Sequence, residues 1–414
     1  MLPNVPHMTP ANDRPAHHGW LIANLLAQMA FGLLAMTIGL PSMQEWPAIF
    51  GASQAAVQLT FSGYVLAYGV LQLVHGPMSD RLGRRRVLMF GLSITMLGSV
   101  MAALATDLST LVAARVLQGA GSAAGMVVGR ALIQDLFQGA ERTRVMAYVG
   151  MAMGLCPPLG TIVGGQLHVG LGWQANFALM AVLALVLWVS AWRGLPAHRP
   201  PAAPQAHWLG AMLAAYRQLL QDRRFVLYVC LLALTSATFY AFLGAAPLVL
   251  GSYGVGPDGI GFYIMFVPGS YIVGNFLTSH LVHRLGDQRM MWAGQALTAS
   301  GIGLMLALAL AGFDSPLALA LPLMLMGLGN GFMVPPALAG TVGLMPALAG
   351  SAAAVAGLMQ QLAAALGGFA VGLVSHTDAV NLALVMMALC LLGVAAQAAL
   401  RRVLRPAGPS RVRN

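Results

Sequence analysis

The feature that most constrains this chain is its succession of apolar runs, each about as long as a bilayer is thick. A helix needs about 20 apolar residues to cross the hydrocarbon core. Runs of that kind occupy 20–42, 57–78, 87–106, 109–132, 145–167 and 173–195, then 225–249, 259–282, 290–312, 316–340, 350–375 and 379–400. Between the two sets of six lies a polar stretch, 196–224, holding Pro196, Pro200, Pro201, Pro204 and several arginines. Only 8% of the 414 residues are charged and 58% are hydrophobic, against about 25% charged in an average soluble domain. A water-soluble surface cannot be built from so few charges. A lipid-facing one removes the need, provided every backbone polar group is satisfied within helices. The expected fold class is an all-α integral membrane protein of twelve transmembrane helices.

Charge then orients the spans. The 21 basic residues are all arginine, against 11 acids, giving a formal charge of +10. Arg14 precedes span one, Arg81, Arg84, Arg85 and Arg86 follow span two, and Arg142 and Arg144 follow span four. The linker carries Arg193, Arg199, Arg217, Arg223 and Arg224. Arg284 and Arg289 follow span eight, and Arg401, Arg402, Arg405, Arg411 and Arg413 follow span twelve. The alternate loops hold only acids, among them Glu45, Asp107, Asp258, Asp314 and Asp378. The positive-inside rule therefore places both termini and the linker in the cytoplasm. The positive charge is a topology signal, and with no aromatic-interleaved basic stripe beside it, nucleic acid is not an expected partner.

The expected organisation is a cytoplasmic tail (1–19), a six-helix half (20–195), a linker (196–224), a second six-helix half (225–400) and a basic tail (401–414). The polar segment up to Gly19 lacks the apolar core and cleavage site of a signal peptide, so the first span is expected to stay as a helix. Cys156, Cys230 and Cys390 lie far apart inside apolar runs, which fits neither a metal site nor a disulfide framework. No His-Glu-x-x-His, nucleophile elbow or pair of intramembrane carboxylates is present, so no enzyme, metal or cofactor is expected. Arg-Leu-Gly occurs after span two (81–83) and again after span eight (284–286). Two related halves joined by a linker describe a transporter that rocks around a central site.

The motifs themselves carry a resemblance. Gln72-Leu-Val-His-Gly76-Pro77-Met-Ser-Asp80-Arg81-Leu-Gly83-Arg84-Arg85-Arg86, Arg115-Val-Leu-Gln118-Gly119 and Cys156-Pro157-Pro158-Leu-Gly160-Thr161-Ile-Val-Gly164-Gly165 resemble elements of the major facilitator superfamily. Within it they are similar to the bicyclomycin/chloramphenicol-resistance (Bcr/CflA) exporters, and the likeness continues through Trp173, Ala246-Pro247, Gly261-Phe262-Tyr263 and Ala349-Gly350-Ser351-Ala352. The resemblance implies that the loop of Gly76, Asp80, Arg81, Gly83, Arg84 and Arg85 latches the cytoplasmic side in the outward-open state. It also implies that the element of Gly154, Pro157, Pro158, Gly160, Gly164 and Gly165 is the hinge of an antiporter. Glycines at 150, 154, 160 and 164 admit a neighbouring helix closely, and the two prolines should bend their own helix. The family pattern has a proline where Thr161 stands, so the bend is expected to shift to Pro157 and Pro158.

Arg115 lies about 10 Å into span four at 1.5 Å per residue. A guanidinium in lipid is costly, so it should face a cavity or hydrogen-bonding groups, with Gln118 one turn along on the same face. Related exporters carry an acid in helix one, and here Thr37 stands in its place, leaving Asn24, Gln28 and Thr37 as the polar residues of that span. The expected cavity is therefore positively charged and suited to neutral, zwitterionic or anionic substrates. Its expected lining comes from spans one, four, seven and eight, with Gln28, Thr37, Arg115 and Gln118 joined by Tyr64, Tyr68, Tyr240 and Tyr263. Aromatics in spans seven and eight (Phe239, Phe242, Phe262, Phe266, Tyr271) could stack on a planar compound or simply pack. For proton coupling the titratable candidates are Asp135, His75 and Glu45.

The leading reading is export of small amphipathic drugs or metabolites across the bacterial inner membrane by proton antiport. The alternative is a facilitator or importer of a specific neutral or anionic molecule without proton coupling. The expected partners are a small-molecule substrate and the bilayer, with protons left open; a single chain is expected to act alone.

Overall fold

The computed structural model describes residues 15–196, 208–345 and 348–404. Within them no strand occurs and fifteen α-helices follow one another. The N-terminal series is α1 (Pro15–Thr37), a short 3₁₀ turn at Pro41–Gln44, α2 (Trp46–Phe50), α3 (Gln54–Leu82), α4 (Arg84–Ala103), α5 (Leu108–Leu136), α6 (Gly139–Leu171) and α7 (Gln174–Gly194). After the linker come α8 (Trp208–Gln221), α9 (Arg223–Ser252), α10 (Pro257–Ile264), α11 (Phe266–Leu285), α12 (Asp287–Leu310), α13 (Pro316–Gly343), α14 (Ala349–Ala370) and α15 (Val380–Leu404). Among the described residues, 11 segments are long and apolar enough to cross a membrane. The expected fifth span, 145–167, falls inside the 33-residue α6.

Helix ends stop where water can reach them, and polar caps mark the stops. Ser53, Asp107, Asp222 and Ser315 each accept a backbone N–H of the first turn of the helix they start. Asp107 accepts both the backbone N–H (2.9 Å) and the hydroxyl (2.7 Å) of Thr110, and these bonds hold its carboxyl below the usual carboxylate range. Between caps, large side chains such as Leu97, Val186, Leu366 and Leu391 stay exposed, as lipid-facing positions do.

Two features differ from the sequence reading. Span eight, expected as one helix over 259–282, is divided at Met265 into α10 and α11. Pro268 has no N–H to give the carbonyl of Ile264, so the helical ladder is interrupted there. The linker, expected as a polar stretch, contains α8, whose buried Leu219 packs with Phe225 and Tyr228. Helix α6 runs as one helix through Pro157 and Pro158, with the Thr161 hydroxyl donating to both proline carbonyls (3.1 and 2.9 Å). Arg14, Arg199, Arg405, Arg411, Arg413 and the prolines at 200, 201 and 204 lie outside the described residues.

The repeat visible as Arg-Leu-Gly is a repeat of geometry. Gly83 (φ 96°) and Gly286 (φ 78°) each end one helix and begin the next in a left-handed conformation that favours glycine. Helices α4 and α5 cross at Gly91 and Gly121, where a side chain on Gly121 would meet Gly91 O and the hydroxyl of Thr95. Helices α12 and α13 cross in the same manner at Gly294 and Gly329, beside Thr298. Small residues let helix backbones touch where there is no hydrophobic force to draw them together.

The two halves meet toward the arginine-free end. Gln58 of α3 donates to Gly244 O of α9 at 2.7 Å, and Phe61 stacks on Tyr240 at 6.0 Å. On the other flank, a side chain on Gly165 of α6 would strike Pro257 O at the start of α10.

Candidate functional site

Arg115 is 3% exposed and sits in a cage made by three helices. Its guanidinium donates to Ala35 O (2.8 Å), Met36 O (3.0 Å) and Thr60 O (3.3 Å), and to the side-chain oxygen of Gln118. Ala35 and Met36 belong to the last turn of α1, whose final carbonyls have no partner within the helix. A cation at a helix C-terminus is also favoured by the helix dipole. The ring of Tyr64 lies 4.4 Å below the guanidinium, and Phe177 at 5.6 Å. Gln118 continues the network by donating to Ser99 Oγ at 2.8 Å. The charge missing from helix one is replaced here by carbonyls and a ring, so Arg115 is solvated without a carboxylate.

This placement corrects the expected positive cavity. Between the halves lies a cavity of about 390 Å³, and Arg115 is not in its wall. Leu33 and Met36 of α1 and Met153, Gly154 and Pro157 of α6 form a largely apolar side. Opposite them stand Thr235, Ser236, Asn330, Gln360 and Gln361, whose hydroxyls and amides form a polar side. Phe239, Tyr240 and Tyr271 fill the corners, and among the described residues no Arg, Asp, Glu or His lines the cavity. Ser236 Oγ donates to Gln360 Oε1 at 3.3 Å. The prolines at 157 and 158 cannot donate to the carbonyls of Met153 and Gly154, which leaves two acceptors on the α6 side.

Of the eight polar and tyrosine residues expected at the cavity Tyr240 lines it, and of the further aromatics of spans seven and eight Phe239 and Tyr271 do. Tyr64 is fully buried and donates to Gly32 O at 2.6 Å; Tyr68 stacks on it at 6.1 Å. Gln28 is spent on Asn24 Oδ1 (3.2 Å) and Leu187 O (2.9 Å), and Thr37 donates to Leu33 O at 3.0 Å. Tyr263 packs against the core. The lining thus comes from spans one, five, seven, eight, ten and eleven, and span four is absent from it. The missed residues, Asn330, Gln360 and Gln361, had a signal: carboxamides inside otherwise apolar runs, each needing a polar partner.

The helix-six element packs as its glycines require. A side chain on Gly154 would meet Ile272 of α11, one on Gly160 would strike Thr37, and one on Gly164 would strike Ile38 O. At the arginine-rich end, Gly76 O accepts from Ser79 Oγ at 2.8 Å. Arg84 pairs with Asp80, reaches Asp135 at 3.2 Å and donates to Ser79 Oγ at 2.7 Å. Arg85 donates to Leu195 O at 3.4 Å. These bonds tie the start of α4 to α5 and to the end of α7, within one half of the molecule. Arg81 also has interactions of its own at this end. His75 is 2% exposed within α3, and Asp135 is taken up by Arg84.

Comparison with known proteins agrees with this architecture. The model of the Major Facilitator Superfamily matches residues 20–368. The chain is 28% identical to multidrug resistance protein D of Escherichia coli (strain K12) over 345 residues, 83% of this chain and 86% of that one. It is 28% identical to a chloramphenicol resistance protein of Pseudomonas aeruginosa over 69% of this chain and 67% of that one. It is 29% identical to the multidrug transporter MdfA of Yersinia pestis bv. Antiqua (strain Angola), over 64% and 65%. Among solved structures, a peptide transporter POT in complex with sulfate superposes with a TM-score of 0.74 at 15% identity, over 95% of both chains. A D-xylose-proton symporter gives 0.71 at 14%, over 92% of this chain and 96% of that one. These two likenesses concern the fold. Helical spans, caged arginine, central cavity and family match converge: the chain is a multi-pass membrane transporter, not an enzyme, and it belongs to the Major Facilitator Superfamily.

Proposed function

We propose that this protein exports small, uncharged amphipathic organic compounds across the bacterial inner membrane by alternating access. The observation that carries the reading is the central cavity of about 390 Å³, apolar on one side, amide- and hydroxyl-lined on the other, and without a charged side chain. Such a wall solvates a molecule with one greasy face and one hydrogen-bonding edge. It offers nothing to neutralise an ion, and an unpaired buried charge is costly. The names of the relatives, multidrug and chloramphenicol resistance proteins, support export of drug-like compounds.

In this reading the halves 20–195 and 225–400 rock about the cavity across twelve spans, joined by the linker 196–224. The arginine-rich loops face the cytoplasm with both termini. The Asp80–Arg84 loop serves as the latch of that side, the glycines and prolines of α6 act as the hinge, and one chain works alone. Arg115 holds the end of α1 in place and contacts no substrate. Protons moving inward drive export.

One observation favours a second reading, a facilitator or importer of a neutral molecule without proton coupling: the cavity wall holds no carboxylate to carry a proton. Transport of a panel of neutral amphipathic compounds, chloramphenicol among them, into proteoliposomes under imposed pH gradients separates the two. Antiport predicts accumulation that follows the pH gradient and collapses with a protonophore. Equilibration indifferent to both would select the facilitator.

A further inference from the structure

An antiporter without a carboxylate in its cavity must load its proton elsewhere, and the structure contains one candidate with a built partner. Glu45 follows the 3₁₀ turn that extends α1, and its Oε2 lies 2.9 Å from Nε2 of His168 on α6. The histidine side chain is 7% exposed and the glutamate 48%. Glu45 lines an open cavity of about 770 Å³ at the arginine-free end, bounded by residues of both halves, including Pro257 and His376.

Of the other acids at this end, Asp107 caps α5, Asp378 accepts from Val380 N at 2.8 Å, and Asp314 lies beside the Tyr253 hydroxyl. Glu45 is instead joined to a buried histidine. Resting on the antiport reading above, we propose that the Glu45–His168 pair is the proton-binding site of this transporter, loaded from the cavity at the arginine-free end.

The pair's geometry says where the proton goes. His168 Nδ1 is buried and has no hydrogen-bond partner among the described residues. With a neutral imidazole, Nε2–H donates to the carboxylate and the bare Nδ1 needs nothing. A second imidazole proton would place an N–H on Nδ1 with no acceptor, which is unfavourable. The incoming proton therefore binds Glu45, turning a charge-assisted bond into a weaker neutral one.

That bond clasps the extension of α1 to α6 close to Gly165, where α6 meets α10 and seals the halves. Loading a proton loosens the clasp at the seal. The effect can reach the core, because the neighbouring Trp46 stacks on Phe177 at 6.3 Å and Phe177 lies under Arg115.

The surrounding charges are few. From α10 comes Asp258, whose backbone carbonyl takes Gln166 Nε2 at 3.5 Å. Across the cavity His376 donates through Nε2 to Val371 O at 2.6 Å, and burial pushes its pKa down. Asp378 caps the next helix, and the facing residues of α7 and α9, Trp173, Asn176, Gly251 and Ser252, do not titrate.

Trp46 and Trp173, 5.9 Å apart, adjoin the pair and report on it. Tryptophan fluorescence of the purified full-length protein, titrated from neutral pH downward through the carboxylate range (about pH 7 to pH 3.5), is expected to show a transition. Glu45→Gln and His168→Gln abolish it, and Asp258→Asn leaves it in place. No transition in the wild type, or one that survives Glu45→Gln, overturns the proposal. In proteoliposomes, gradient-driven chloramphenicol accumulation that persists in Glu45→Gln also overturns the site while antiport stands. Wild-type transport indifferent to the pH gradient sinks the antiport reading itself, and the two failures are thereby distinguished.

Discussion

At the scale of the residue, Arg115 shows how an ion can be held in a membrane without a counter-ion. Its donors end on carbonyls that the end of α1 leaves open, and its charge lies against Tyr64. A lysine has neither the planar fork nor the reach for three carbonyls at once. Arg115→Lys and Arg115→Ala are both expected to abolish transport. Hydrogen bonds to a charged group contribute on the order of 2 kcal/mol each, so losing several lowers stability measurably. Thermal unfolding in detergent, run beside the transport assay, checks this. An unchanged melting temperature with lost transport would assign Arg115 to substrate contact instead. The sequence marked Arg115 and Gln118 as partners because an intramembrane arginine demands hydrogen bonds. It did not reveal that backbone carbonyls from another helix would satisfy it, since those become available only where α1 happens to end.

At the scale of the element, α6 decides most. Its glycines face different neighbours: Gly160 and Gly164 receive α1, while Gly165 receives the start of α10 from the other half. Gly164→Val should therefore damage folding, because both contacting helices belong to one half and have no way to separate. In the proposed cycle Gly165→Val acts at a junction that opens, so it is expected to leave the protein folded with the arginine-free end held apart. Cysteine labelling at Ser252, which lines the adjoining cavity, is expected to speed up in Gly165→Val. Labelling no faster than in the parent would show that this contact does not form the seal. The glycine and proline spacing of α6 made the close packing readable in advance. The division of span eight at Met265 was less visible, because a proline in an apolar run can bend a helix, break it or be absorbed by it.

At the scale of the whole molecule, the fold was legible because it follows from solvent. Runs of apolar length, arginines in alternate loops and a recurring Arg-Leu-Gly leave few architectures for a chain so poor in charge. The cavity was less legible. It is assembled from six spans, and which face of each points inward depends on crossings such as Gly91–Gly121 and Gly294–Gly329 that are set in three dimensions. Arg115, Tyr64, Tyr68 and Gln28 drew attention as polar groups in apolar helices, yet all four lie outside the cavity wall: Arg115, Tyr64 and Gln28 donate to backbone carbonyls, and Tyr68 stacks on Tyr64. Asn330, Gln360 and Gln361 carry the same signal and do reach the cavity. A carboxylate placed among them should change which compounds are moved. Gln361→Glu is expected to admit lipophilic cations such as tetraphenylphosphonium, measured as competition with a neutral substrate.

An uncharged cavity should select uncharged cargo. Transport by the wild-type protein in proteoliposomes, of neutral amphipathic compounds such as chloramphenicol beside tetraphenylphosphonium of similar size, tests it most directly. The neutral compounds are expected to move and the cation is not. Transport of tetraphenylphosphonium at a comparable rate would contradict it.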